Sequence, residues 1–331
     1  MGSERALLVA AGGGIGDTLL AGVVARALRT RFAAVDMVVL PAHADLAARI
    51  PSVETVIRFG TPLRARYAAA VVTWATFATA LLPWRARIPE RVGQARRMYS
   101  ALFTAKVVVR SELGDRTTHW TEILLDYARA AGCDLSDAQP EFALRDDDRA
   151  AAATLLQVHD LDGPFYLLHP TRGLSARRSR WPKEGFVTLA RRLVARDDVS
   201  VLVTGAPEDA EIALAIADAA GPRVTSIAGA TSIGGFGALA ARARAVIAMD
   251  SGPMHVAAAV GAPTVGLFAL QSDEPDRWAP RGRRVAVVRP SYPCPPAHRK
   301  ENCPDFACVR ELDQAGILAA LDGLLVPTAE R

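Results

Sequence analysis

A carboxylate follows a glycine-rich turn near the start of the chain. The apolar run RALLVA leads into AAGGGIGDTLL, in which Gly13, Gly14 and Gly16 precede Asp17. Glycines let a backbone approach an anion or a sugar closely, and a carboxylate beside them can take a proton from a sugar hydroxyl. An acidic residue in the first turn of a helix is also stabilising without any catalytic role. A dinucleotide-binding GxGxxG motif would need glycine where Asp17 stands, so no dinucleotide site is predicted here.

A helix N-terminus suited to phosphate is predicted in the second half. In AVIAMDSGPMHVAAA a buried strand runs into Asp250, Ser251 and Gly252, and Pro253 occupies a first helical position. Such an end presents free amides and a partial positive charge, which favour a diphosphate. Asp250 and Ser251 could instead serve only as caps. His255, in the first turn, is either a donor to a phosphate or a packed, hydrogen-bonded histidine.

Five basic residues follow another predicted strand, in LLHPTRGLSARRSRWPKEGF. They are Arg172, Arg177, Arg178, Arg180 and Lys183. Guanidinium groups bind phosphate oxygens through paired hydrogen bonds and balance charge on a departing diphosphate. A solvated basic loop is the alternative. Because the loop follows the carboxyl end of a strand, we expect at least one of its arginines to contact phosphate.

A cluster of soft metal ligands lies near the C-terminus, in CPPAHRKENCPDFACVREL. Cys294, His298, Cys303 and Cys308 could together hold zinc or iron. The segment has no CxxC pair, because Ala297 stands where the second cysteine would be, so the metal prediction is weak and buried or free thiols are expected. Four cysteines in a chain of 331 residues do not form a disulfide framework, which indicates a reducing compartment.

Alternating strands and helices must position these groups. Runs such as VDMVVL and AAAVVTW alternate with helical stretches in the first half, as do FYLLH, VSVLVT, AVIAM and PTVGLF in the second, which predicts an α/β protein with parallel sheets. At 331 residues the chain exceeds one hydrophobic core. We predict two Rossmann-like, doubly wound domains facing each other across a cleft, over residues 1–160 and 161–331, with the last helix a candidate to pack back on the first.

Charge and hydropathy limit which partners the chain is expected to bind and where in the cell it is expected to lie. Thirty-nine basic and 35 acidic residues give a formal charge of +4, which suits an anionic substrate or an anionic membrane surface and indicates no nucleic-acid partner. The 18 residues from Tyr67 to Trp84 carry no charge and lie between arginines. Because this stretch is rich in alanine and threonine and is interrupted by Pro83, we predict a buried strand followed by a helix and not a membrane span. The N-terminus does not resemble a signal peptide, so we expect a cytoplasmic protein, with peripheral contact at the inner membrane as an option.

Several of these segments together resemble a known family. GGIGDTLL, the HP followed by RWP, VLVTGAPEDAE and, above all, GATSIGGFGALAARARAVIAMDSGPMHVAAAVGAPTVGLF are similar to the heptosyltransferases of glycosyltransferase family 9. The resemblance spans nearly the whole chain. It implies a GT-B fold with an acceptor bound mainly by the first half. The second half would bind a nucleoside-diphosphate sugar, with ADP-heptose the first candidate.

The resemblance also implies roles for individual residues. Asp17 would be the catalytic base, with the acceptor near Gly13, Gly14 and Gly16. The donor would contact Thr171, Thr204, Gly205, Asp250, Ser251, Gly252, Met254 and His255. Family members often have a lysine two places before the tryptophan of the RWP-like motif. Here Ser179 occupies that position, so Arg178 or Arg180 would have to supply the charge.

The predicted reaction is an inverting sugar transfer that requires neither a metal nor another cofactor. The acceptor would be the lipopolysaccharide core, a natural product, another glycan or a protein. Two alternatives remain at this point. One is a sugar-nucleotide epimerase or hydrolase of the same architecture, and the other is a non-catalytic nucleotide-sugar binding protein.

Overall fold

The computed structural model describes residues 2–171, 181–270, 274–291, 294–295 and 303–326. The chain divides into two compact units, Met1–Ala143 and Leu144–Arg331. The boundary lies earlier in the chain than the predicted one between residues 160 and 161. The helix that follows it, Asp146–Val158, packs on a helix of the second unit, Ile233–Arg242, and so belongs there.

The first unit is built on a six-stranded parallel sheet. Its strands are β1 (Gly2–Val9), β2 (Phe32–Val39), β3 (Thr55–Arg58), β4 (Ala69–Val72), β5 (Glu90–Gln94) and β6 (Ala105–Val107), in the order β3-β2-β1-β4-β5-β6. Its helices are α1 (Ile15–Leu20), α2 (Gly22–Leu28), α3 (Ala44–Ala47), α4 (Phe77–Arg85) and α5 (Trp120–Ala130). The helical segment between β1 and β2 consists of two short helices, α1 and α2.

The second unit repeats this strand order. Its strands are β7 (Phe165–His169), β8 (Ser200–Val203), β9 (Val224–Ser226), β10 (Ala245–Met249), β11 (Thr264–Leu267) and β12 (Val285–Val288), in the order β12-β11-β10-β7-β8-β9. All pairs are parallel. Its helices are α6 (Asp146–Val158), α7 (Lys183–Asp197), α8 (Ala210–Ala220), α9 (Ile233–Arg242), α10 (Gly252–Ala259), α11 (Pro275–Trp278) and α12 (Gln314–Leu325).

The central strands are apolar over most of their length, as is typical of parallel sheets with helices packed on them. Every residue of β4 and of β10 is buried. The last helix, α12, inserts Ile317 and Leu321 into the core of the second unit and packs on β11 and β12. The helix therefore contributes to the core of the second unit. Its apolar residues cover one face of the second sheet.

The uncharged stretch from Tyr67 to Trp84 is not one element. It contains strand β4 and most of helix α4, separated by a loop in which Thr76 caps the helix by accepting from the Thr79 amide. The prediction of a buried strand followed by a helix is confirmed. Within the described ranges, no helix combines the length and the hydrophobicity needed to cross a membrane.

Candidate functional site

Each sheet changes its direction of winding beside its first strand. In the first unit β1 lies between β2 and β4, and in the second β7 lies between β10 and β8. Loops that leave neighbouring strands at such a point diverge, and ligands of open parallel sheets bind in the resulting crevice. The turn that contains Asp17 follows β1, and Trp74 follows β4 closely. In the second unit Asp250 follows β10, and Pro170 follows β7.

The glycines before Asp17 are required by the shape of the turn. Gly13 has a φ of +68°, which strains any residue with a side chain. A Cβ atom on it would lie 2.4 Å from Asp17 Oδ2. Gly14 is the residue before α1, and its amide donates to Asp17 Oδ2 at 2.8 Å. The hydrogen bond between Gly14 and Asp17 therefore stabilises the turn, as expected of an acidic residue at the start of a helix. It uses one carboxylate oxygen, and the other can accept a proton.

Burial makes Asp17 a better base than an ordinary aspartate. The side chain is half-buried, and burial raises the pKa of Asp17 against the opposing hydrogen bond from the Gly14 amide. The nearby His43 is buried and its Nδ1 lies 2.8 Å from Thr18 Oγ1. Burial lowers the pKa of His43, while the Asp17 carboxylate opposes that shift; the same attraction partly opposes the rise in the pKa of Asp17. No ion pair with Asp17 occurs among the described residues.

Trp74 forms one wall of the same turn and was not predicted as a site residue. Its indole lies on Gly12, where a Cβ atom would fall 1.9 Å from the ring Cδ1, and 39% of the residue is exposed. The loop that carries it is held in place. The Trp74 carbonyl accepts from Thr79 Oγ1 at 2.8 Å, and the Ala75 carbonyl accepts from the Tyr99 hydroxyl at 2.8 Å. A partly exposed aromatic ring on an anchored loop thus borders the glycine turn that precedes Asp17.

The N-terminus of α10 is open to a ligand. Ser251 is the residue before the helix, but its hydroxyl donates to the Met249 carbonyl at 2.9 Å and makes no cap bond to the helical amides of the described residues. The alternative in which the Ser251 side chain serves only as a cap is therefore not observed, because the hydroxyl bonds back to the strand. The amides of the first turn, which begins at Gly252, are left for an anion.

Two neighbouring side chains in this helix behave differently. Met254 is fully buried, and a Cβ atom on Gly266 of β11 would lie 2.7 Å from its sulfur. Its side chain therefore belongs to the core, and only its backbone can face a ligand. His255 is 5% exposed, and its Nδ1 has no hydrogen-bond partner among the described residues. A buried polar atom without a partner costs stability, which is the pattern of a group that pairs when a ligand binds.

A buried hydrogen-bonded network follows β7 and β8. His169 Nδ1 lies 2.9 Å from Thr204 Oγ1, and Thr171 Oγ1 donates to Asp209 Oδ2 at 2.9 Å. Burial lowers the pKa of His169 to about 4. Thr171 and Thr204 are 1% and 2% exposed, so their side chains fix the turns rather than present themselves to a ligand. Neither His169 nor Asp209 was predicted as a site residue, although His169 ends β7 and Asp209 immediately precedes α8.

Some of the other predicted residues have structural roles, and the rest lie outside the described part of the chain. Gly205 is required sterically, because a Cβ atom would lie 2.8 Å from Asp209 Cβ. Lys183 begins α7. Four predicted phosphate ligands lie outside the described residues: Arg172, Arg177, Arg178 and Arg180.

The cysteine segment does not assemble a metal site within the described residues. No group of three or more His, Cys, Asp or Glu side chains there is placed to hold an ion. Cys308 is buried, and Cys294 and Cys303 are partly exposed. His298, the predicted nitrogen ligand, lies outside the described ranges. The weak metal prediction for this segment thus gains no support.

Comparisons with known proteins agree with this arrangement. The model of glycosyltransferase family 9 (heptosyltransferase) matches residues 56–305. Lipopolysaccharide heptosyltransferase 2 of Salmonella typhimurium is 26% identical over 301 residues, covering 83% of this chain and 85% of that protein. The solved structure of the E. coli ADP-heptose LPS heptosyltransferase II has a TM-score of 0.78 at 22% identity, covering 97% of this chain and 98% of that one.

A second solved structure shows the same fold at lower identity. The family 9 glycosyltransferase of Veillonella parvula has a TM-score of 0.84 at 17% identity, and the match covers 99% of both chains. The predicted family resemblance and the predicted GT-B class of fold are therefore confirmed. Because the fold matches over almost the full length, neither unit is an addition to the common architecture.

Proposed function

The chain belongs to glycosyltransferase family 9 (heptosyltransferase) and is a glycosyltransferase, and on that premise we propose that it moves heptose from ADP-heptose to a hydroxyl of a lipopolysaccharide core acceptor, with inversion. The observation that carries this proposal is Asp17. It is a half-buried carboxylate with a raised pKa, at the winding change of the first sheet. A base of this kind accepts a proton from a hydroxyl more readily than an ordinary aspartate does.

The choice of donor and acceptor is supported by relatives. The similar Salmonella protein is named as a lipopolysaccharide heptosyltransferase, and the similar E. coli structure is named for ADP-heptose. The helix N-terminus at Gly252 and the Nδ1 of His255, which has no hydrogen-bond partner among the described residues, are suited to the diphosphate of such a donor. We assign acceptor binding to the first unit, at Gly13, Gly14 and Gly16, and donor binding to the second.

The reaction follows from these groups. Asp17 removes the proton from the acceptor hydroxyl as its oxygen attacks the anomeric carbon of the heptose. The bond from that carbon to the diphosphate oxygen breaks, and its electron pair leaves with ADP. The amides at the start of α10 and the His255 ring stabilise the negative charge on the leaving diphosphate. With these donors in place, we propose that transfer requires no divalent ion and no other cofactor. Attack opposite the leaving group inverts the anomeric configuration.

The location proposed for this enzyme is the cytoplasmic side of the inner membrane, where a lipid-linked acceptor is available. Family membership favours transfer over the two alternatives considered from the sequence. An epimerase or hydrolase would consume the donor with no acceptor present. A non-catalytic binding protein would bind ADP-heptose and leave it intact.

One assay tests the proposal. The protein is incubated with ADP-heptose, with and without a heptose-deficient core acceptor and with and without EDTA, and ADP release and the anomeric configuration of the product are measured. We expect acceptor-dependent ADP release that resists EDTA and gives inverted product, and we expect Asp17→Asn to lose it while still binding ADP. Near-normal turnover by Asp17→Asn would remove the base assignment. Donor consumption without acceptor would favour the hydrolase.

A further inference from the structure

Basic residues are concentrated in one part of the first unit. Although the whole chain has a formal charge of only +4, the segment from Thr55 to Ser111 contains ten basic residues and a single acidic one, Glu90. The basic residues are Arg58, Arg64, Arg66, Arg85, Arg87, Arg91, Arg96, Arg97, Lys106 and Arg110. The remainder of the chain is therefore acidic on balance. Because the segment runs from β3 at one edge of the first sheet to β6 at the other, only those of its arginines that lie on adjoining elements can attract one oppositely charged surface together.

The same segment carries a group of exposed aromatic side chains. Trp74, Phe77 and Trp84 are 39%, 64% and 50% exposed, and they are the only aromatic residues among the large exposed hydrophobic ones in the described ranges. Phe77 and Trp84 are seven residues apart in α4, so they lie on one side of the helix. The opposite side of α4 packs inward through Thr79, Ala80 and Pro83. The helix thus turns an apolar face outward.

A neighbouring element extends this face. Helix α4 packs against the 3-10 helix Met98–Leu102, and Met98 at its start is 98% exposed. We call the set of Trp74, Phe77, Trp84, Arg85, Arg87, Arg96 and Met98 the α4 face. Contiguous exposed apolar side chains of this kind mark interaction sites more often than isolated ones do.

The arginines of the α4 face are not neutralised by their surroundings. Arg85, Arg87 and Arg96 are exposed and form no ion pair within the described residues. The one acidic residue of the segment, Glu90, pairs with Arg31 at 3.0 Å. Their positive charge therefore remains available to a partner. Arginine and tryptophan together suit the boundary between lipid headgroups and acyl chains, because each combines an apolar body with a polar end.

We propose that the α4 face docks on the anionic surface of a lipid bilayer. Its aromatic and methionine side chains would enter the headgroup region, and its arginines would contact anionic headgroups. The inference rests on the proposed function in one respect. Trp74 joins the α4 face to the Asp17 turn through its contact with Gly12, so docking would bring a lipid-anchored acceptor to the base. A soluble protein partner would need acidic groups and apolar groups in the same pattern, which a bilayer supplies without any such match.

Vesicle binding tests the proposal without relying on activity. The full chain is mixed with vesicles of phosphatidylcholine alone or with phosphatidylglycerol added, and the bound fraction is measured by flotation at low and high salt. We expect binding that requires phosphatidylglycerol and weakens with salt. Since each arginine at an anionic surface changes partitioning by about fivefold, Arg85→Gln with Arg87→Gln should weaken binding by about 20-fold. Phe77→Ser with Trp84→Ser should weaken it by about 10-fold or more.

Matched variants on the second unit serve as controls. Leu214→Ser alters a side chain that is 54% exposed on α8, and Arg242→Gln alters an exposed arginine at the end of α9. Both should bind vesicles as the unaltered chain does, and thermal melts should show all variants folded. Equal binding to neutral and anionic vesicles, or no loss in the α4-face variants, would overturn the proposal. The proposal would also be overturned if the chain bound an acidic protein and vesicles did not compete for that binding.

Failure of the docking proposal can be distinguished from failure of the proposed function. Asp17→Asn should bind vesicles normally although it cannot transfer heptose. On a short, water-soluble acceptor the α4-face variants should keep near-normal kcat and KM, whereas on a vesicle-embedded acceptor their turnover should fall. Equal losses on both acceptors would show that the α4 face binds the acceptor sugar rather than the bilayer, and would overturn the docking proposal while leaving the transferase assignment intact.

Discussion

The indole of Trp74 rests on Gly12, and a Cβ atom on that glycine would lie 1.9 Å from Cδ1 and 2.2 Å from Nε1 of the ring. The two residues follow neighbouring strands, β4 and β1. Their contact couples the loop that carries the aromatic ring to the turn that carries Asp17. The position of the base thus depends on a side chain more than 50 residues away in sequence.

Gly12→Ala should displace Trp74, because the new methyl group and the ring cannot occupy the same space. Overpacking of this kind costs about 1–3 kcal/mol of unfolding free energy. We expect a lower Tm and reduced transfer with little change in ADP affinity, measured by thermal unfolding, initial rates and calorimetry.

A double-mutant cycle checks the origin of that effect. Trp74→Ala in the Gly12→Ala background should recover stability relative to Gly12→Ala alone, since the ring that clashes is gone. Gly323→Ala in α12, where a Cβ atom would meet nothing within 4 Å, should not lower the Tm. Unaltered stability of Gly12→Ala would contradict the contact.

Asp17→Asn should abolish most transfer, by about 10²- to 10⁴-fold in kcat, and should also stabilise the folded chain near neutral pH. Burial raises the pKa of Asp17, so ionising it costs the folded state more than the unfolded state. Asparagine carries no charge and avoids that cost. The Tm advantage of the variant should be present at pH 7 and disappear at about pH 3, where the aspartate is protonated in both states.

Asp197→Asn is a control in which the Tm at pH 7 should change in the opposite direction. Although burial opposes it, hydrogen bonds from Arg196 and Tyr166 lower the pKa of Asp197. Asp197→Asn should therefore lower the Tm at pH 7. If both variants shift the Tm in the same direction at pH 7, the electrostatic account of Asp17 is incorrect.

His255→Ala should weaken ADP binding by about 10-fold or more, because a hydrogen bond to a charged phosphate is worth about 1.5–3 kcal/mol. Its Nδ1 is buried without a partner in the described residues, so the unliganded chain should lose little by the change. Calorimetric titration with ADP measures the effect. His159→Ala, at the end of α6, should bind ADP with unchanged affinity, and an unchanged affinity in His255→Ala would exclude the histidine from the diphosphate site.

Stability should fall as the pH decreases from about 6.5 to 4. Burial lowers the pKa values of His169 and His255 to about 4, while an unfolded histidine titrates near 6.5. In that window the unfolded state binds more protons, at a cost of up to about 1.4 kcal/mol per pH unit for each histidine. Urea unfolding at pH 7, 6 and 5 measures the slope, which should be shallower in His255→Ala than in His159→Ala. Equal slopes would place His255 in a solvated environment.

Most of the fold could be predicted because buried parallel strands are apolar throughout. β4 and β10 are such strands, as are residues 6–9 of β1 and 165–168 of β7, and these apolar runs are evident in the sequence. The strands β6 and β12 were not predicted. Each lies at a sheet edge, and AKV in β6 is short and contains a charged residue. Edge strands are covered on fewer sides, so their sequences are less strongly constrained.

The candidate site could be predicted only where it depends on local sequence. Asp17, and the helix that begins at Gly252, follow from a strand that runs into a turn. Trp74 on Gly12, and His169 with Thr204, are contacts between separate strands, and a single sequence gives no spacing from which to infer them. The same limit applies to Ser251, because a serine before a helix can bond forward to the helix or backward to the strand.

Each sheet takes its six strands from one uninterrupted half of the chain. The first sheet is complete at Val107, long before β7 has been translated. Because domains fold as units during synthesis, the first half can close its core while the second is still inside or near the ribosome. Premature termination in the second half would then release a folded fragment that carries the proposed base but lacks the unit to which we assign nucleotide binding.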